Sequence, residues 1–362
     1  MERLGSNIVG PDGPLEAKIL FVAESPGAEE DVALKPFVGA AGGLLNRAFR
    51  TTGINRPEVL ITNVFKQRPP NNDVGYYFQD RSHRKLTWEG QEHVDQLSKW
   101  LLELKKQENG GPNVLVALGA TAMYVLTGET RITKFRGSVL PCILVEGYKV
   151  YCMFHPSYVM RLMNEPEERL FGDKKAQQQN ALPLFLKDLE RVQIQGETRT
   201  YERPERIFNI NLDLQGILNE LYELRNYPDD AIDTVAVDIE TLRSPKGPLV
   251  WCIGFSPEPD YAFVVPFLRN GKFVWSVDEE AKILRAISGV FLDENIKKVF
   301  HNNLFDLSVL GRYYGLRCKS GSVEDTMFCF HATYPYLRKA LDVLTSIYTW
   351  EPYYKDDGKV WE

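Results

Sequence analysis

What most constrains the fold of this chain is alternation: short β-rich apolar runs are separated by stretches of helical periodicity. In the first half, residues 17–23 (AKILFVA), 59–65, 114–118 and 148–154 read as strands. Helices are expected over 42–52, 88–106, from the third strand through 126, and 174–192, with Thr87 placed to cap the second of them. Strands that alternate with helices imply a mostly parallel sheet covered on both faces. A polar stretch at 193–206 (QIQGETRTYERPER) interrupts the pattern, a helix is expected at 212–226, and a second alternation begins near Asp233. Its strands are expected at 234–240, 250–255, 261–266 and 298–301, and its helices at 279–291, 306–314 and 338–348. The expectation is an α/β protein of two domains, 1–192 and 231–362, each a central sheet flanked by helices, with a linker and connecting helix over 193–230.

Composition narrows the class. Of 362 residues, 44% are hydrophobic and 25% charged, which fits a soluble globular protein. No apolar run approaches the roughly 20 residues that span a bilayer. The polar, Gly- and Pro-containing stretch 1–14 is unlike a signal or transit peptide, so a cytoplasmic protein with no membrane partner is expected. Cys142, Cys152, Cys252, Cys318 and Cys329 form no CxxC pair and no zinc spacing with histidine, as reduced thiols would. A net charge of −6 argues against a chain coated in basic charge, yet a local basic surface suffices for nucleic acid. Candidate patches are 66–68, 81–85 and 134–136, each of which alone reads as a solvated loop. The loops 71–86 and 162–172 are long and polar, a length often functional or mobile in compact domains.

Ligand sites in such sheets lie beyond the carboxyl ends of the strands. There the first half carries AESPG (23–27) with PFVG (36–39), then ITNV (61–64) running into KQRPP (66–70), and then HPS (155–157). A carboxylate (Glu24), an amide (Asn63), an aromatic ring (Phe37) and a histidine (His155) thus converge on one crevice. A single strand-end histidine is more often structural than catalytic; four such groups at successive strand ends are harder to dismiss.

AESPGAEEDVALKPFVGAAGGLL, ITNVFKQRPP and HPSYVMR, in that order, closely resemble the three motifs of family 4 uracil-DNA glycosylases, over about residues 17–190. The resemblance implies a three-layer α/β/α fold and hydrolysis of the N-glycosidic bond of a base flipped from the stack. It implies that Asn63 reads the uracil edge, that Phe37 stacks on the ring within a pocket that includes Gly27, and that His155 donates to the developing oxyanion. Glu24 would position water or stabilise the cationic sugar. Lys66, Arg68, Ser157, Tyr158, Met160 and Arg161 would contact DNA, the last three resembling a loop that enters the minor groove. Family 4 enzymes usually carry a four-cysteine iron–sulfur cluster. Here Gln67 stands in the KCRPP position and residues 1–100 hold no cysteine, so no cluster is expected and direct packing, with help from the 71–86 loop, takes its place.

In the second half, VDIET (237–241) puts Asp238 and Glu240 on one face of a strand. Two acids there call for a partner, and hard oxygen ligands suit Mg²⁺ or Mn²⁺. HNNLFD (301–306) follows, opening a helix. Asp306 alone reads also as a helix cap, and Asp325 is read as a cap. Together these segments resemble the first two motifs of DEDD 3′→5′ exonucleases, of ribonuclease-H-like fold, as in family A DNA polymerases. That resemblance implies two-metal phosphodiester hydrolysis with Asp238, Glu240 and Asp306 as metal ligands and Asn302 and Phe305 on the substrate. Tyr353 and Asp357 fit the third motif literally, but their Pro-, Asp- and Gly-containing surroundings read as a loop preceding the real one, so the exonuclease site is expected to be incomplete.

A glycosylase-like domain ahead of an exonuclease resembles the N-terminal part of replicative polymerases of certain large bacteriophages. This implies phage DNA replication in the bacterial cytoplasm, uracil-containing DNA or a single-stranded 3′ end as partner, and a polymerase domain downstream or in trans. The alternative is a catalytically silent glycosylase-like module that recognises template.

Overall fold

The protein is seen in a computed structural model that describes residues 4–5, 7–108, 110–163, 181–200, 205–226, 233–245 and 247–353. Part of the expected loop 162–172, the start of the helix expected at 174, and Asp357 lie outside these residues. The chain forms two compact units, residues 1–202 with 336–362, and residues 203–335.

The first unit runs β1 (Ile19–Ala23), α1 (Ala28–Ala33), α2 (Ala40–Thr52), β2 (Leu60–Asn63), α3 (Trp88–Lys105), β3 (Val114–Leu118), α4 (Ala120–Thr127), α5 (Ile132–Phe135), β4 (Val139–Pro141), β5 (Lys149–Met153), α6 (Pro156–Met163) and α7 (Ala181–Glu197). Among the described residues its sheet has five strands in the order β2-β1-β3-β5-β4. All neighbours are parallel except β4, which runs against β5. Continuous apolar runs are what a parallel strand buried on both faces demands. Along β1, Leu20 and Val22 enter one core while Phe21 and Ala23 enter the other. The first core is covered by α3 and α4 (Val94, Leu97, Leu101, Met123, Leu126). The second is covered by α2, α6 and α7 (Leu45, Phe49, Val159, Phe185, Leu189). The result is the expected α/β/α layering. Thr87 does cap α3, its hydroxyl accepting from Gly90 N–H at 3.1 Å.

The polar loop after β2 is not loosely solvated. Tyr77 and Phe78 are buried in the first core, Tyr77 stacks on Phe65 with ring centroids 4.0 Å apart, and Phe78 stacks on His83 at 4.7 Å. The Tyr77 hydroxyl donates to the carbonyl of Gln67 at 2.9 Å, and Gly5 N–H donates to that of Arg68 at 2.9 Å.

The second unit comprises β6 (Ile207–Asn209), α8 (Leu214–Asn226), β7 (Thr234–Ser244), β8 (Gly247–Glu258), β9 (Tyr261–Pro266), β10 (Leu268–Arg269), β11 (Lys272–Phe273), α9 (Val277–Leu292), β12 (Lys297–Phe300), α10 (Asn303–Tyr314), β13 (Val323–Asp325) and α11 (Thr326–Thr333). Its main sheet is ordered β13-β12-β7-β8-β9-β6. Strands β13, β12 and β7 are parallel, β8 is antiparallel to β7 and β9, and β6 joins β9 in parallel. Val235, Val237 and Ile239 of β7 pack against Leu221, Ile287 and Leu310 from α8, α9 and α10. Two boundaries differ from those read in the sequence. The segment 193–230 is not simply a connector, because β6 completes the sheet and α8 lays Ile217, Leu221 and Leu224 into its core.

The other difference is the final helix, α12 (Leu341–Tyr348), expected with the exonuclease but belonging to the first unit. Two buried arginines hold it there. Arg136 pairs with the fully buried Asp188 at 2.6 Å and also donates to the Ser346 hydroxyl. Arg191 donates to Tyr151 at 3.2 Å, to the carbonyl of Ile347 at 2.6 Å and to that of Thr349, with its guanidinium 3.8 Å from the Trp350 ring centre. Carbonyls at a helix C-terminus lack intrahelical partners, and a cation there satisfies them. Further on, Tyr353 packs on Phe135 with ring centres 5.8 Å apart.

Candidate functional site

The carboxyl ends of β1, β2, β3 and β5 open into a cavity of about 440 Å³ lined by Glu24, Gly27, Phe37, Asn63, Asn72, Gly119, Ile132, His155, Ser157, Tyr158 and Arg161, among others. Glu24, Asn63, Gly119 and His155 arrive at the end of a strand or in the turn after it, Phe37 from the loop between α1 and α2, and Ser157, Tyr158 and Arg161 from α6. Phe37 takes a left-handed backbone (φ 57°), and its ring centre lies 5.7 Å from that of His155. Gly42 makes that turn possible, since a Cβ there would lie 1.8 Å from the Phe37 carbonyl oxygen. Glu30 ties the two halves of the same loop, accepting from Gly39 N–H at 2.9 Å and Gly27 N–H at 3.2 Å.

Two acids, Glu24 and Glu30, and one cation, Arg161, line the cavity among neutral groups such as Asn63 and Phe37. The Nδ1 atom of His155 accepts from Ser157 N–H at 3.2 Å, which leaves the proton of a neutral imidazole on Nε2. Burial, and then the nearby Arg161 charge, pull the His155 pKa down to about 4, so the ring is neutral at physiological pH. Burial pushes the Glu24 carboxyl above its ordinary range, opposed by the Thr121 hydroxyl, which donates to Oε2 at 2.5 Å. The charges of His83 and Arg161 also favour its anion, while that of Asp73 opposes it. Asn63 is 3% exposed, buried at the end of β2.

Of the residues singled out in the sequence, Glu24, Gly27, Phe37, Asn63, His155, Ser157, Tyr158 and Arg161 line this one cavity. Lys66 was expected on DNA and is turned inward instead, its amine donating to the Thr62 hydroxyl and, at 2.7 Å, to the Asn63 carbonyl. Met160 likewise packs against the second core. Arg68 lies outside the cavity lining, its Nε donating to Asn72 Oδ1 at 2.6 Å. Sequence reading missed Thr121, Asn72 and Glu30. The glycine closing β3 in LGAT was the available signal for Thr121: Gly119 has φ 91°, and a Cβ there would sit 3.0 Å from the His155 Cβ.

In the second unit, β7 alternates buried Val237 and Ile239 with exposed Asp238 and Glu240, which therefore share the open face. Asp306, in the first turn of α10, is 4% exposed, and its Oδ1 accepts from Ile239 N–H at 3.3 Å. Burial and the neighbouring Asp238 charge raise its pKa to about 6. Asn302 begins α10 in a left-handed conformation (φ 72°), its N–H bonded to Asp325 Oδ1 at 3.2 Å, and Phe305 is 48% exposed. Asp325 is the cap expected of it, accepting from Met327 and Phe328 N–H at 2.8 and 3.3 Å. Hard carboxylate oxygens and a raised acid beside a second acid are the donor chemistry a divalent cation suits. Among the described residues, no three His, Cys, Asp or Glu side chains are drawn together tightly enough to hold a metal on their own.

No helix among the described residues is long and apolar enough to cross a membrane. The uracil DNA glycosylase superfamily pattern matches residues 11–182, and the 3′-5′ exonuclease family of DNA polymerase A matches residues 210–344. A type-4 uracil-DNA glycosylase of Thermotoga maritima is 42% identical over 158 residues, covering 43% of this chain and 73% of that one. A DNA polymerase of Bacillus phage SP01 is 22% identical over 316 residues, 82% of this chain but 30% of the polymerase. The catalytic core of RRP6 from Trypanosoma brucei superposes with a TM-score of 0.33 at 19% identity over 41% of this chain and 36% of its own, too loosely to carry an argument. With four strand-end segments meeting in one cavity and this similarity across them, the chain belongs to the uracil-DNA glycosylase superfamily of hydrolases and carries a 3′-5′ exonuclease domain behind it.

Proposed function

We propose that the first unit hydrolyses the N-glycosidic bond of uracil in DNA. Breaking that bond leaves positive charge on the sugar and negative charge on the base oxygen, and the base must leave the stack to be reached. Phe37 stacks on the flipped ring and the Asn63 amide reads its edge. The Nε2 proton of neutral His155 is donated to the oxygen on which charge develops, an oxyanion-hole contribution. Glu24 supplies the negative charge beside the sugar and aligns the attacking water. Ser157, Tyr158 and Arg161 at the cavity rim contact the DNA backbone and hold the strand open. The observation that carries this reading is the Ser157 N–H bond to His155 Nδ1, which commits the ring to donate from its other nitrogen.

The test is a uracil-containing oligonucleotide incubated with the protein and then cleaved with alkali. Strand scission is expected from the wild type and a loss of about 10²–10³-fold from His155→Ala. No scission by the wild type would leave the first unit as a DNA-recognition module.

For the second unit we propose metal-dependent 3′→5′ removal of nucleotides from a single-stranded end. Asp238, Glu240 and Asp306 would hold Mg²⁺ or Mn²⁺, which when bound supplies Lewis-acid activation of the phosphodiester. Asn302 and the exposed Phe305 would hold the terminal nucleotide. A polymerase, downstream or in trans, is the partner that this activity and the phage resemblance favour, and the bacterial cytoplasm is the matching setting. The tyrosine and acid of a third motif are not assigned.

A further inference from the structure

We infer that Lys66 is a positioning residue for base recognition: its amine closes the free outer edge of β2 at Asn63 and so fixes the amide that reads the base. The inference deepens the glycosylase reading and rests on it.

Strand β2 lies at the edge of the first sheet, paired with β1 on one side only. Along a strand, successive residues direct their backbone groups to alternate sides. The N–H of Val64 faces inward, donating to Ala23 at 2.8 Å. Ile61 faces outward, and there its N–H and C=O exchange bonds with Asp12, both at 2.9 Å. Asn63, two residues on, faces the same outer side. At that point the sheet edge is met by a side chain instead of another strand. Lys66 Nζ donates to the Asn63 carbonyl at 2.7 Å and to the Thr62 hydroxyl.

The lysine is itself held in place. Its N–H is bonded to His93 Nδ1 at 3.5 Å, its C=O accepts from Val9 N–H at 2.8 Å, and its ammonium lies 5.5 Å from the Trp100 ring centre. An amine drawn out of water toward a carbonyl and a ring is costly to keep unless its bonds are kept too. Burial lowers its pKa to about 7, consistent with an amine that has exchanged solvent for these partners. Strand-end geometry matters here because an error of a fraction of an ångström in the reading amide is felt directly in the reaction.

The test uses the full chain, uracil-containing DNA, free uracil as a competitive inhibitor and abasic DNA as a binding probe. Lys66→Met is expected to lower kcat and raise the inhibition constant of free uracil, each by about tenfold, with abasic-DNA affinity unchanged. Lys66→Arg, which retains donors for both partners, is expected to recover most of that loss. Should Lys66→Met fail to fold, Trp100→Leu keeps the amine but removes the ring beneath it and is expected to raise the uracil inhibition constant by about threefold. Wild-type values for kcat and uracil inhibition in these variants would overturn the inference. So would a loss confined to DNA affinity with a weaker salt dependence, which would put Lys66 on a phosphate. A wild-type protein that releases no uracil would instead remove the glycosylase reading, and this inference with it.

Discussion

The two acid-bearing regions of this chain solve opposite problems. In the first unit Glu24 is half-buried, its anion favoured by the Thr121 hydroxyl and the charges of His83 and Arg161 and opposed by burial and by Asp73. In the second, Asp238 and Glu240 stand exposed on an open sheet face with Asp306 close enough to feel the Asp238 charge. The first arrangement is organised by the fold itself and needs little reorganisation when its ligand arrives. The second concentrates like charge, which together with burial raises the Asp306 pKa to about 6 and which a cation would relieve. A burial-tuned site depends on its scaffold, whereas a charge-dense one depends on what it binds.

That contrast can be broken at several points. If the first site depends on its scaffold, Arg136→Met should destabilise the first unit most severely, by about 3–5 kcal/mol, because buried Asp188 loses its ion-pair partner. Equilibrium denaturation with urea reads this directly. Next in size, Glu24→Gln should reduce uracil release by about 10²-fold. It should also remove the acidic limb of the pH–rate profile. In the proposed mechanism Glu24 acts as an anion, and its pKa is raised, so wild-type activity should fall, as pH is lowered, at a pH above the usual carboxylate range. An unchanged acidic limb in the variant would assign it to another group.

The smallest effect probes the second site. Asp306 has a folded pKa of about 6 against about 3.9 unfolded, so its ionised form is the one the fold disfavours. Its cost is absent near pH 4 and complete above pH 6. Asp306→Asn, which can still accept from Ile239 N–H, should therefore gain about 1–2 kcal/mol at pH 8 without added metal, and nothing near pH 4. Melting curves at the two pH values would show it. Addition of Mg²⁺ should stabilise the wild type and not the variant, and equal stabilisation of both would take the cation away from Asp306.

Much of this was legible in the sequence, for local reasons. Period-two burial along VAVDIE fixes Asp238 and Glu240 to one face without any tertiary knowledge, and the apolar run VLVAL requires a strand buried on both sides. Asp325 could be read as a cap because the helix N–H groups it caps are two and three residues away. What was hidden depended on distant segments. Whether the amine of Lys66 points outward or inward is decided by Thr62 in β2 and by Trp100 in α3. Thr121 reaches Glu24 across 97 residues of sequence. The destination of α12 was the least readable of all, since Ser346 meets Arg136 across 210 residues.

That last attachment changes how the gene can be cut. The glycosylase fold is discontinuous: a product stopped at residue 202 would lack the plug that Arg136 and Arg191 enclose, so the shortest fragment suggested by motif boundaries is a poor choice for expression. Residues 203–335 behave as a cassette with two seams instead of a tail with one, and any recombination that exchanges them must preserve the reading of both.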